Sequence, residues 1–190
     1  MTLQTPQPPP SALRAVLAAL DSETALRQPA AAALRHPIGP LLPAHPLAVH
    51  VLDGPRPELR AARRTGWRFL IKDGAEVAAA AEVVQAVEGH TFSHFTAGPY
   101  LDSTVRALRQ AWQLAQGSRS RQQPRLLTFP GQYATALWLH GPDADPAADQ
   151  LIPLAPAPLG VTAHRAYPAG ELLPLLTRAP LAKPLLLGSS

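Results

Sequence analysis

The side chains best suited to chemistry in this chain are its arginines. Fifteen Arg and two Lys stand against thirteen acids, for a formal charge of +4. Between Arg56 and Arg125 lie ten Arg and Lys72 against six acids, and no acid occurs from Ser103 to Pro142. Cations concentrated in this way can meet phosphate, because each guanidinium presents a planar fork of donors. Arg60, Arg63, Arg64, Arg119, Arg121 and Arg125 are therefore the candidate nucleic-acid-binding residues, taken from clusters at 56–72 and 106–125. No aromatic residue interleaves the Arg119 to Arg125 run as a stacking platform for bases. The excess of Arg over Lys also has a compositional origin, since Ala, Pro and Leu are enriched with it in the manner of a GC-rich genome.

The other reactive types form weaker patterns. His90 and His94 would share one face of a helix, as zinc ligands do. The residues around them read as strand or loop, where positions four apart lie about 13 Å from each other. Asp143, Asp145 and Asp149 fail as a calcium loop, because the sixth position from Asp143 is Ala148 instead of Gly and the twelfth is Leu154 instead of Glu. Ser93 beside His94 and Asp102 beside Ser103 are sequence neighbours, which does not make a catalytic triad. No nucleophile elbow, phosphate loop or dinucleotide fingerprint occurs. The chain has no Cys, which excludes disulfides and thiolate chemistry. No metal and no cofactor is expected. His50, His140, Asp53 and Glu82 are the dispersed polar groups on strands that could converge into a site.

The elements that must position these groups follow from periodicity. At 190 residues, 46% apolar and 16% charged, the chain has the size and composition of one folded core. Residues 1–10, with Pro6, Pro8, Pro9 and Pro10, read as a flexible tail. Ser11 is placed to cap a helix with Leu13, Val16, Leu17 and Leu20 on one face, and Pro29 opens a second short helix through Arg35. Pro37, Pro40, Pro43 and Pro46 recur every third residue, as along one edge of a polyproline helix, so 11–46 reads as a helical appendage and strap.

A single α+β domain is expected over 47–179, with a tail at 180–190. Leu47 to Leu52 reads as a strand. Trp67, Phe69 and Ile71 then enter a hairpin whose three-residue loop, Lys72 to Gly74, sets them opposite Ala79, Val77 and Ala75. Residues 84–96 fit strand or loop equally. A helix from Pro99 carries Leu101, Val105, Leu108, Trp112 and Ala115 as its buried stripe. Strands at 126–129, 133–140 and 151–154 follow, with Pro130-Gly131 as a bend, and a helix over 169–178 is limited by Pro174 to about two turns. The fold expected is α+β: an antiparallel sheet of five to six strands with one long helix on one face, an N-terminal helical appendage and Pro-rich arms.

The N-terminus lacks a basic patch before an apolar run, and no stretch reaches the ~18 apolar residues of a membrane span, so a cytoplasmic protein without membrane contact is expected. The functional expectation is a non-enzymatic interaction or scaffold domain, working through a protein partner or self-association. The alternative is a nucleic-acid-binding accessory protein that uses the Arg clusters.

Overall fold

The alternating run Trp67-Arg68-Phe69-Leu70-Ile71 forms the middle of strand β2 (Arg63–Asp73), and the Val/Ala run after it forms β3 (Glu76–Ala86). Gly74, at φ +59°, makes the turn with Ala75. Trp67, Phe69 and Ile71 face Val83, Ala81 and Ala79, with a bulge between Ile71 and Lys72. The expected pairing is thus displaced by four residues. Because four is even, the same apolar side chains still share a face, as the period of two requires. Gly66 is fixed by close approach, since a Cβ there would stand 2.0 Å from the Val83 carbonyl oxygen.

The computed structural model describes residues 3–54, 58–117, 121–141 and 145–178. Strands β1 (Leu41–Val51) and β4 (Gly89–Thr96) flank the hairpin. After helix α3 (Pro99–Gly117) come β5 (Gln123–Phe129), β6 (Ala134–His140), β7 (Gln150–Pro153) and β8 (Tyr167–Pro168). Together they make one eight-stranded sheet in the order β4-β3-β2-β1-β5-β6-β7-β8. It is mixed, whereas five or six antiparallel strands were expected. Two antiparallel meanders join where β1 runs parallel to β5. A parallel pair needs a long crossover. Here β2 to α3 together supply it, which connections taken one at a time do not reveal.

Two local expectations fail for backbone reasons. The polyproline strap stops at Pro40, because β1 already begins at Leu41 and holds Pro43 and Pro46. β5 pairs only with Ala48 to Val51, so the Pro-bearing half of β1 faces no ladder on that side and needs no donor there. His45, at φ +44°, takes up the register shift between Ala44 and Leu47. Pro130-Gly131 is a tight connection rather than a splayed bend, with Tyr133 left-handed at φ +51° and Phe129 paired with Ala134.

Helices cover both faces of the sheet, not one. On the first face α3 buries Leu101, Leu108, Ala111 and Ala115 against Leu47, Leu70, Leu126 and Leu137. Trp112 lies outside that stripe and is 36% exposed, its expected place being taken by Ala111. On the second face α1 (Pro10–Leu20), α2 (Glu23–Leu26) and the 3-10 turn Pro29–Leu34 pack on Trp67, Phe69, Ala81 and Phe95. Val16 is fully buried there, a contribution of about 1.5–3 kcal/mol for a side chain of this size. These helices are a layer of the core, not an appendage. Helix α1 is capped at Pro9, and Ser11 Oγ instead bonds His90 Nδ1 at 2.8 Å.

α4 (Ala169–Arg178) continues through Pro174 and packs on Leu127, Phe129, Trp138 and Leu151 at the other end of the second face. Leu3 is buried, and Gln4 N–H donates to the Gln122 carbonyl at 2.8 Å. Residues 3–9 therefore run as a strap from β5 to the start of α1, in place of a free tail. No helix among the described residues is long and apolar enough to cross a membrane. The expected tail at 180–190 lies outside the described residues.

Candidate functional site

Between the N-terminal helices and α4, the second face of the sheet is open over β1, β2 and β5. The opening is a groove of about 480 Å3 with Ala48, His50, Arg64, Trp67 and Arg125 as its floor. Gln85 and Gln123 stand at its sides, and Pro6, Gln7 and Pro9 of the strap form a wall. Register accounts for the convergence. Ala48 lies between Trp67 and Arg125, and His50 lies opposite Arg64, so these positions on three strands share a face.

The two arginines belong to different expected clusters, and strand pairing brings them together. Arg125 is half-buried, and its Nε and Nη2 donate to Gln123 Oε1 at 3.2 and 3.0 Å. Its guanidinium lies 5.0 Å from the Trp138 ring, and that of Arg64 lies 5.8 Å from the Trp67 ring, both cation–π distances. Burial lowers the Arg125 pKa, Asp149 opposes that effect, and Arg64 adds to it. Neither arginine forms an ion pair among the described residues.

His50 is 8% exposed, and its pKa is lowered to about 4 by burial, then by Arg125, against an opposing backbone hydrogen bond at Ala48 and with smaller lowering from Arg64 and His140. It is neutral at neutral pH. His50 Nδ1 and Trp67 Nε1 are buried without a hydrogen-bond partner among the described residues, and so is His90 Nε2 on β4, outside the groove lining. Burial and then Arg64 also lower the His90 pKa. A buried polar atom left unpaired costs about 1–3 kcal/mol, and such atoms call for an occupant or a role.

The remaining nominated arginines do not join this groove. Arg63 is exposed and pairs with Asp53 at 3.2 Å. Arg60 lines a separate cavity of about 340 Å3 with Leu59, Ala147 and Leu173. Arg121 is exposed ahead of β5, and Arg119 lies outside the described residues. Arg106 and Arg109 are on α3, across the sheet from Arg64 and Arg125.

Asp149, the last of the three aspartates that fail as a calcium loop, is buried at 3% exposure. Its Oδ2 accepts from Trp138 Nε1 at 2.8 Å and lies 3.0 Å from His140 Nδ1, and its Oδ1 accepts Gly141 N–H at 3.0 Å. The sequence signal for it was the Trp and His two apart on β6, which need an acceptor once their face is buried. Asp143 lies outside the described residues, and Asp145 accepts Ala147 N–H. Glu82 pairs with Arg68, and His94 bonds Ser93. Among the described residues no group of three or more His, Asp or Glu is placed to hold a metal ion.

Compared with known proteins, the chain matches no family model, no curated protein and no solved structure.

Proposed function

We propose that this is an anion-binding domain whose groove on the second face of the sheet takes a phosphate-bearing ligand. One observation carries the reading. Arg64 and Arg125 line one groove with no ion-pair partner among the described residues, with His50 and Trp67 nitrogens there that are buried and have no hydrogen-bond partner among those residues. Guanidinium pairs recognise phosphate through forked, charge-assisted hydrogen bonds, and an anion offsets the repulsion between them.

Two other readings have less support. A nucleic-acid strand needs a track of free cations, but Arg63 is engaged by Asp53 and Arg60 belongs to another cavity. A scaffold that pairs through its sheet edge would use β4, where Gln28 Oε1 already accepts the Phe95 N–H at 3.1 Å. Ile38, Val87 and Leu159, the most exposed aliphatics, stand on separate loops.

Isothermal titration calorimetry with inorganic phosphate and sulfate at low salt tests the reading. Wild-type protein should bind at one site, and Arg125→Met and Arg64→Gln should each weaken binding about tenfold or more. Loss of the reading would be seen as no heat of binding for either anion at millimolar concentration.

A further inference from the structure

Charge explains where an anion would sit but not the rest of the groove. Its volume, about 480 Å3, falls in the ~300–1,000 Å3 range of small-molecule sites and exceeds what a bare phosphate fills. Carboxamides dominate the remaining polar lining: Gln7 on the strap, Gln85 at the end of β3 and Gln123 on β5. An amide both donates and accepts, and so does a hydroxyl, so the two suit each other. The Gln123 carbonyl oxygen is engaged by Arg125, which leaves its NH2 to donate. Trp67 is only 3% exposed and offers no open ring for a base to stack on. The strap is held at one end by the Gln4–Gln122 hydrogen bond and at the other by the start of α1, so it bounds the groove on that side against a continuous polymer.

We propose that the occupant is a small sugar phosphate, with its phosphate on Arg64 and Arg125 and its hydroxyls on Gln7, Gln85 and Gln123. The inference rests on the anion-binding reading and narrows it. Among the described residues the lining contains no Asp or Glu to repel a dianion. His50, which lines the groove with Arg64 and Arg125, is a neutral imidazole that can hydrogen-bond an incoming polar group. The charged and titratable groups around His50 are Arg64 from β2, Arg125 from β5 and His140 from β6, while the strap contributes only neutral residues there.

The test compares glucose 6-phosphate, inorganic phosphate, glucose and a single-stranded oligonucleotide by calorimetry on the full chain. Glucose 6-phosphate should bind about tenfold or more tighter than inorganic phosphate, with no measurable heat from glucose alone. Gln85 is exposed, so Gln85→Ala should leave the fold intact. That substitution should weaken glucose 6-phosphate severalfold and leave inorganic phosphate unchanged, whereas Arg64→Gln weakens both. Equal affinity for the two phosphates would overturn the sugar assignment while the anion site stands. Tighter, steeply salt-dependent binding of the oligonucleotide would overturn it in favour of a nucleic-acid ligand. Binding of no anion at all would remove both readings together.

Discussion

Strand β2 sends arginines to both faces of the sheet, and their surroundings are opposite in kind. Arg68, on the face covered by α3, is nearly enclosed: its Nε bonds Glu82, and its Nη1 donates to Thr104 Oγ1 at 3.1 Å. Arg64, four residues earlier on the other face, lines the groove with another arginine and with His50, a histidine whose pKa burial lowers to about 4. The chain can therefore supply a matched carboxylate to an arginine, whereas among the described residues Arg64 and Arg125 have no ion-pair partner and Asp149 only offsets part of the effect of burial on Arg125. Arg68 is held as part of the fold, and the groove arginines are left available to a ligand.

The largest effect expected from this contrast is at the paired site. Glu82→Gln removes the carboxylate beside a guanidinium whose side chain is only 17% exposed. Breaking a buried ion pair from one side strands a charge, and here it should cost about 3 kcal/mol by urea unfolding. Phosphate affinity should be unchanged, because Arg68 faces away from the groove. A loss under about 1 kcal/mol would place this pair with exposed salt bridges and remove the distinction between the faces.

The next effect belongs to the unpaired site. His50 has a folded pKa of about 4 against 6.5 for the ordinary imidazole. Above pH 6.5 it is neutral in both states, and its contribution to stability is fully present. As pH falls through 6.5 toward 4 the unfolded chain takes up the proton first, so stability declines, by about 3 kcal/mol over the window. The lowered pKa values of His90 and His164 act in the same direction. Denaturation at pH 7.5, 5.5 and 4 should show this decline, and His50→Asn should flatten its share of it. Sulfate, a dianion throughout that range, should offset the decline in the wild-type protein if it occupies the groove. An unaltered slope in His50→Asn would contradict the burial assigned to His50.

Periodicity makes much of the fold legible and little of the site. The apolar alternation at Trp67 to Ile71 and the runs after Gln123 identify strands because side-chain burial acts locally along the chain. The parallel junction of β1 and β5 is not legible, since its signal is the summed length of everything between them. The same junction assembles the groove. Arg64 and Arg125 are two of six candidate arginines in the sequence, and only pairing across β2, β1 and β5 distinguishes them from Arg60, Arg63 and Arg121. Asp149 shows a similar limit: its burial follows from Trp138 and His140 on the neighbouring strand, and nothing in the Pro/Ala-rich segment around it marks the residue as an acceptor.

The smallest expected effect bears most directly on the comparison. Arg64 is exposed, and its charged neighbours are Arg125 and imidazoles whose pKa values it helps to lower, so its positive charge does nothing to hold the fold together. Its contact with the Trp67 ring is weak at an exposed position. Arg64→Gln should therefore leave stability within about 0.5 kcal/mol of wild type, and relief of like-charge repulsion should raise the His50 pKa, measurable by NMR titration. Arg68→Gln, made in parallel, should destabilise the protein, because Glu82 is then left unpaired at 8% exposure. Two identical substitutions on one strand would then separate by function: the first weakens phosphate binding with the fold intact, and the second weakens the fold with the groove unchanged. If Arg64→Gln proved the more destabilising of the two, the cation would be holding the second face together, and the case for an anion site there would fail with it.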